Sequence, residues 1–144
     1  MKHKTESPLD CCLFFTANSL ARVITRMGEE EFAAIAMTPS YAFLLMLAME
    51  NPGIAQKELA EAMNMAPSTV SRFVDALDKR GLIRKEGLGR NTFIHPTEKG
   101  LAIEPQIKEV WHNLYKRYSE LLGQENGDQL TRLTLEASRK LQKG

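Results

Sequence analysis

Apolar residues recur at helical spacing along most of the chain. From Leu9 onward, Leu13, Ala17, Leu20, Ile24 and Met27 form one stripe, which predicts a helix over 9–33, weakened at Gly28. Thr38-Pro39-Ser40 opens a second helix, with Thr38 as its cap and Pro39 at its first position. That helix closes at Glu50, before the turn signal Asn51-Pro52-Gly53. Its apolar residues run all round, which marks it as the central helix of the fold. The run Tyr41–Met49 is too short to span a bilayer and reads as buried. Two shorter helices follow, over 56–63 and 67–80. The second has Val70, Phe73, Val74 and Leu77 on one side, and Pro67 suits its start. Ala55 and Ala66 stand where capping side chains would help, at a cost of about 1 kcal/mol each.

The period then changes. Leu82–Lys85 and Thr92–His95 read as two strands joined through Gly87-Leu88-Gly89, with Pro96 ending the hairpin. Thr97-Glu98 caps a long helix that reaches Gly123 and carries Ile103, Ile107, Val110, Leu114, Tyr118 and Leu121 on one stripe. A last helix over 128–141 carries Leu130, Leu133, Ala137 and Leu141. No repeat or low-complexity linker divides the chain. Helix, tight turn, helix and hairpin make a winged helix-turn-helix. The expected fold class is therefore mainly α, a single compact domain over 1–144. A three-helix core with a two-stranded wing occupies 38–96, flanked by terminal helices over 9–33 and 97–142.

The polar side of the 67–80 helix holds the candidate chemistry. Ser68, Thr69, Ser71 and Arg72 fall together there. Hydroxyls reach phosphates and base edges, and an arginine forks onto guanine, so this face suits a major groove. An ordinary solvated helix face is the bland alternative. The net charge is only +1, so binding to nucleic acid cannot rest on overall basicity. The positive charge is local: Arg72, Lys79, Arg80, Arg84, Lys85 and Arg90 face only Asp75, Asp78 and Glu86 in the same stretch. Lys79 and Arg80 also complement the helix dipole. Gln56 and Lys57 begin a helix, where backbone N–H groups favour phosphate.

Other chemistries find little support. With 144 residues, 43% hydrophobic and 26% charged, the chain suits one folded domain. It has no Gly-rich phosphate loop, no nucleophile beside a base and no paired carboxylates outside helix surfaces, so an enzyme is not expected. His3, His95 and His112 are scattered, so neither metal nor cofactor is expected. Cys11 and Cys12 are adjacent, which is neither a disulfide framework nor a zinc pattern. The N-terminus has no apolar core of signal length, so a cytoplasmic location without a membrane partner is expected.

Four segments carry a resemblance: Thr38-Pro39-Ser40, Ser68-Thr69-Val70-Ser71-Arg72, Leu77-Asp78-Lys79-Arg80-Gly81-Leu82-Ile83 and Thr97-Glu98-Lys99-Gly100. In this order and spacing the chain resembles the MarR family of bacterial transcription regulators over nearly its whole length. The resemblance implies a homodimer joined through the terminal helices, with two winged lobes on one double-stranded DNA. Each 67–80 helix would enter a major groove. Arg90 matches the family's wing-tip arginine, an inserted cation for a narrow minor groove. The wing here is a few residues shorter and lacks the acidic residues usual before that arginine. A symmetric dimer implies a near-palindromic operator, with half-sites about 10 bp apart. It also implies affinity that falls with salt.

The function so implied is a sequence-specific DNA-binding repressor released by a small-molecule effector. The family tends to hold small aromatic or phenolic effectors between dimer frame and DNA lobe, which makes Tyr41, Phe43 and Trp111 candidate wall residues. Met46, Met49, Met63 and Met65 fit core filling or an adaptable pocket. Two alternatives stay open. One is a thiol-redox regulator using Cys11 or Cys12, because Leu9–Phe15 resembles the region where a branch of the family senses organic hydroperoxides. Phe15 or Thr16 stands where that branch places a tyrosine. The other is a winged-helix protein-interaction module.

Overall fold

Thr38 starts the element around which the molecule is built. Its hydroxyl accepts the Tyr41 N–H at 3.3 Å and Pro39 takes the first position, so α2 (Pro39–Glu50) forms where its punctuation predicts. Ala42, Leu44, Leu45 and Ala48 are fully buried along it. Against it lie α3 (Gln56–Met63) and α4 (Pro67–Lys79), which contribute Leu59, Val70, Val74 and Leu77 to the same core. The computed structural model describes residues 7–88 and 91–144.

The wing has three strands rather than two. β1 (Ile54–Ala55), β2 (Ile83–Glu86) and β3 (Phe93–Pro96) form an antiparallel sheet in the order β1-β3-β2. Ile54 and Lys85 both pair with Ile94. A two-residue strand shows no period, so β1 is invisible to pattern reading. It accounts for the missing cap at Ala55: the Gln56 N–H donates to the Thr92 carbonyl at 2.9 Å, taking over part of what a capping side chain supplies. β2 and β3 each lie one residue beyond the expected strands. Pro96 ends β3 inside it, opposite Ile83 and past the reach of β1, where its missing N–H breaks no ladder bond.

The first helix is shorter than expected. A 3-10 turn, Pro8–Cys11, is closed by a reciprocal cap between Ser7 and Asp10. Cys12 is extended, and only then does α1 (Leu13–Phe32) begin. A second 3-10 turn, Ala33–Ile35, ends at Ala36 in the left-handed region (φ 55°). Gly28 does not weaken α1. It is buried, and a Cβ there would lie 3.3 Å from the Pro39 ring, so the glycine lets α1 cross closely over the start of α2.

The expected long helix after Thr97 is two helices. α5 (Glu98–Ala102) stops at Ile103, and α6 (Glu104–Leu122) restarts with Pro105 in its first turn. Proline cannot donate to the preceding turn, so the ladder breaks there although the apolar stripe runs on. α7 (Gln124–Lys143) starts directly after Gly123 (φ 88°), four residues before the expected position. Arg117 on α6 holds α1 through Glu30 and Glu31, at 2.9 and 3.1 Å. The outer stripes of this helical arm stay uncovered within the chain: Leu121, Leu133 and Leu141 are exposed. No single helix among the described residues is long and apolar enough to cross a membrane.

Candidate nucleic-acid interface

α4 presents two unlike sides. Val70, Val74 and Leu77 are buried, and Phe73 is half-buried with its ring edge-on to Tyr41 at 4.9 Å. Ser68, Arg72, Asp75 and Lys79 are exposed along the opposite stripe, at helical spacing, with Thr69 and Ser71 half-buried on its flanks. Arg72 makes no hydrogen bond or ion pair among the described residues, so its guanidinium is unengaged there. The structure thus brings Ser68, Thr69, Ser71 and Arg72 onto one side of a helix whose other side is locked in the core.

The wing is tied to this helix. The Lys85 ammonium donates to the Asp75 carboxylate at 2.8 Å, which raises the lysine's pKa above its ordinary value. Arg84 lies 3.7 Å from Glu86, whose carboxylate also accepts from His95 Nε2 at 2.8 Å. Both expected wing cations therefore sit beside acids. In the sequence Asp75 stands only as opposing charge; its partnership with Lys85 depends on how the wing folds back. Arg90, the expected wing-tip cation, lies outside the described residues, as does His3. Leu88 is 90% exposed beside the hairpin turn.

The far end of α4 is a junction. Arg80 donates to the Ala36 carbonyl at 3.1 Å, and Lys99 donates to the Arg80 carbonyl at 2.8 Å. The Thr97 hydroxyl donates to the Gly81 carbonyl and accepts the Gly100 N–H. A Cβ on Gly100 would collide with the Leu82 carbonyl, so the Thr97–Gly100 segment docks only with glycine there. Arg80 is thus engaged in the fold, whereas Lys79 is exposed at the helix end. On α3, Gln56 is half-buried, and Lys57 is exposed beside a cleft bordered by Glu61, Asn64 and Gln142.

A second feature is apolar. α2, α3 and α6 enclose a cavity of about 350 Å³, lined by Phe43, Met46, Glu50, Met63, Met65 and Trp111 among others. The Phe43 and Trp111 rings lie 5.6 Å apart. Tyr41, the third expected wall residue, does not join them; it faces Phe73. Tyr115 donates to Asp128 at 3.0 Å and meets Tyr118 edge-on, and burial pushes the Tyr118 phenol up in pKa. Cys11 and Cys12 are both exposed free thiols.

Residues 37–88 match the MarR family model. The chain is 32% identical over 92 residues to the uncharacterized HTH-type transcriptional regulator YybA of Bacillus subtilis (strain 168), a match covering 62% of this chain and 61% of that protein. A 48-residue stretch, 33% of this chain, is 44% identical to the riboflavin kinase of Thermococcus kodakarensis but spans only 23% of that protein's length. Among solved structures, the fold is similar to that of the transcriptional repressor CouR of Rhodococcus jostii RHA1. CouR has been solved bound to p-coumaroyl-CoA and bound to a 23-mer DNA duplex. Both superpose with a TM-score of 0.84 over 95% of this chain and 99% of theirs, at 24% and 23% identity.

Proposed function

We propose that the chain, whose residues 37–88 match the MarR family model, is a transcriptional regulator of that family: a homodimeric, sequence-specific reader of double-stranded DNA that represses transcription until a small effector releases it. The observation that carries this reading is the outward side of α4, where Ser68 and Arg72, the latter without a partner among the described residues, stand on a helix fixed from behind by Val70, Val74 and Leu77. In a major groove such an arginine makes two hydrogen bonds to guanine O6 and N7, while the hydroxyls take phosphate oxygens or further base edges. Lys57, Lys79 and Arg84 supply phosphate contacts, and Arg90 serves the minor groove. The repressor CouR, in the same fold, has been solved with a DNA duplex and with a small molecule, the two ligand classes this reading requires.

The uncovered stripes of α1, α6 and α7 serve as the dimer face, and residues 38–96 as the DNA-binding lobe. Two lobes related by a twofold axis read two half-sites about one helical turn apart, about 10 bp. The cavity holding Phe43 and Trp111 is the effector site. It borders Met63, the last residue of α3, and Met65, within the turn that leads into α4, so an occupant bears on the placement of the reading helix. Full switching requires the effector to favour one state by about 5.5 kcal/mol.

Selection of bound fragments from random duplexes, at stated salt, tests this function. The expected product is a near-palindrome whose affinity falls steeply as salt rises. A selection that enriches no sequence counts against it.

One observation favours a second, thiol-based trigger: Cys12 stands at the N-terminal boundary of α1 with no capping bond from its side chain, and both it and Cys11 are exposed. Peroxide should then lower DNA affinity in the wild type and not in Cys11→Ser or Cys12→Ser. An equal response in all three removes the thiol trigger.

A further inference from the structure

The cavity between α2, α3 and α6 has a charge pattern of its own, and we infer that it takes a hydrophobic aromatic cation, an organic amine or quaternary ammonium, with Glu50 as the counter-ion. This rests on the reading of that cavity as the effector site. Its walls are two aromatic rings, Phe43 and Trp111, and three thioethers, Met46, Met63 and Met65. Aromatic faces carry negative quadrupole charge and attract cations, most strongly at tryptophan. Methionine adapts to irregular apolar shapes. Among the described residues, Glu50 is the one ionisable residue in the lining, and no Lys, Arg or His joins it.

The backbone adds to the same sign. α2 ends at Glu50 and α3 ends at Met63, so two helix C-termini abut the cavity, and neither helix has a basic residue in its last turn. Helix C-termini carry partial negative charge. At the other end of α2 the Thr38 hydroxyl already takes the Tyr41 N–H, and Pro39 has no N–H to offer. That leaves Ser40 as a neutral polar group in the lining. Lys108, one turn before Trp111, lies on the other side of that ring, in an adjoining cleft that Trp111 also lines with His112 and Asp128, and is 3.9 Å from Glu104. A carboxylate or an acyl-CoA phosphate entering the Phe43–Trp111 cavity would meet like charge and no cation. A flat cation of one or two rings suits the volume of about 350 Å³.

Trp111 is the chain's one tryptophan and lines both this cavity and the cleft beside it, so its fluorescence reports binding at either, and Glu50→Gln, which alters only this cavity, tells the two apart. The test titrates DNA-free protein with benzyltrimethylammonium, its uncharged isostere neopentylbenzene, and the anion phenylacetate. The cation should quench Trp111 saturably and bind tightest, with phenylacetate weakest. Glu50→Gln should weaken the cation about fivefold, the size of a part-exposed ion pair, and leave neopentylbenzene unchanged. Glu50 is exposed, so the variant should fold, and a thermal melt checks that it does. The proposal is overturned if phenylacetate binds as tightly as the cation, if Glu50→Gln binds the cation as the wild type does, or if no saturable quench occurs. No DNA is present in the titration, so a failure to bind operator is a separate result and does not alter this one.

Discussion

The winged lobe and the helical arm use the same amphipathic pattern to opposite ends. In the lobe, Leu44, Leu45, Leu59, Val70, Val74, Leu77, Ile83 and Ile94 are all but fully buried, and the outward positions are mostly polar, with Leu88 and Phe93 on the wing as exceptions. In the arm, Phe14 is 80%, Leu121 77% and Leu141 69% exposed. The lobe closes its core within one chain. The arm carries apolar stripes that one chain does not cover, and contiguous exposed apolar surface marks an interaction face. The lesson is that a periodic stripe predicts which side of a helix seeks cover, not whether that cover comes from the same chain. A second copy, joined arm to arm, is the partner proposed above.

The largest expected effect comes from charging the arm. Leu133→Asp combined with Leu141→Asp should leave the protein monomeric at concentrations where the wild type is dimeric. The cost is on the order of 2 kcal/mol per buried leucine in each protomer. Sedimentation equilibrium measures it, and a wild type that is itself monomeric breaks the comparison. In the lobe, Leu77→Ala should cost about 3 kcal/mol of folding stability in urea unfolding. Leu133→Ala should instead shift the dimer equilibrium and leave unfolding at fixed oligomeric state nearly unchanged. If the two substitutions act alike, the contrast between lobe and arm is wrong.

Gly100→Ala should destabilise by about 1–3 kcal/mol, because the Leu82 carbonyl must move to admit the methyl group. Thermal melting reads the loss. Asp75→Asn is the mildest change to folding, less than about 1 kcal/mol for an exposed pair. It removes an acid from the proposed DNA-reading face and frees Lys85, so affinity for any duplex should rise a few-fold. The slope of log affinity against log salt should steepen by about one. An unchanged slope would show that Lys85 stays out of reach of phosphate.

Much of the lobe is legible in the sequence because its boundaries are punctuated locally. Thr38-Pro39 and Asn51-Pro52-Gly53 bracket α2, and Pro67 opens α4. The errors fall where short range and long range conflict. β1 has two residues and exists only because β3 pairs with it. The break at Ile103 was hidden because the stripe continues through Pro105, although that proline marks it. The side of α4 that faces out was readable from period alone, which placed Ser68, Thr69, Ser71 and Arg72 together. The contacts Lys85–Asp75 and Arg80–Ala36 span 10 and 44 residues and follow from the folded path, not from spacing. Phe43 and Trp111 come together, while Tyr41, two positions earlier on α2, points to another neighbour because successive helix positions face different ways.

The most direct measurement is the affinity of Arg72→Ala, beside the wild type, for the duplex the wild type selects, at one fixed salt concentration. Loss of about 1–3 kcal/mol on that duplex, with little change on an unrelated one, is the predicted result. Equal affinity of the two proteins for the selected duplex would contradict the assignment of the outward side of α4 as the surface that reads DNA.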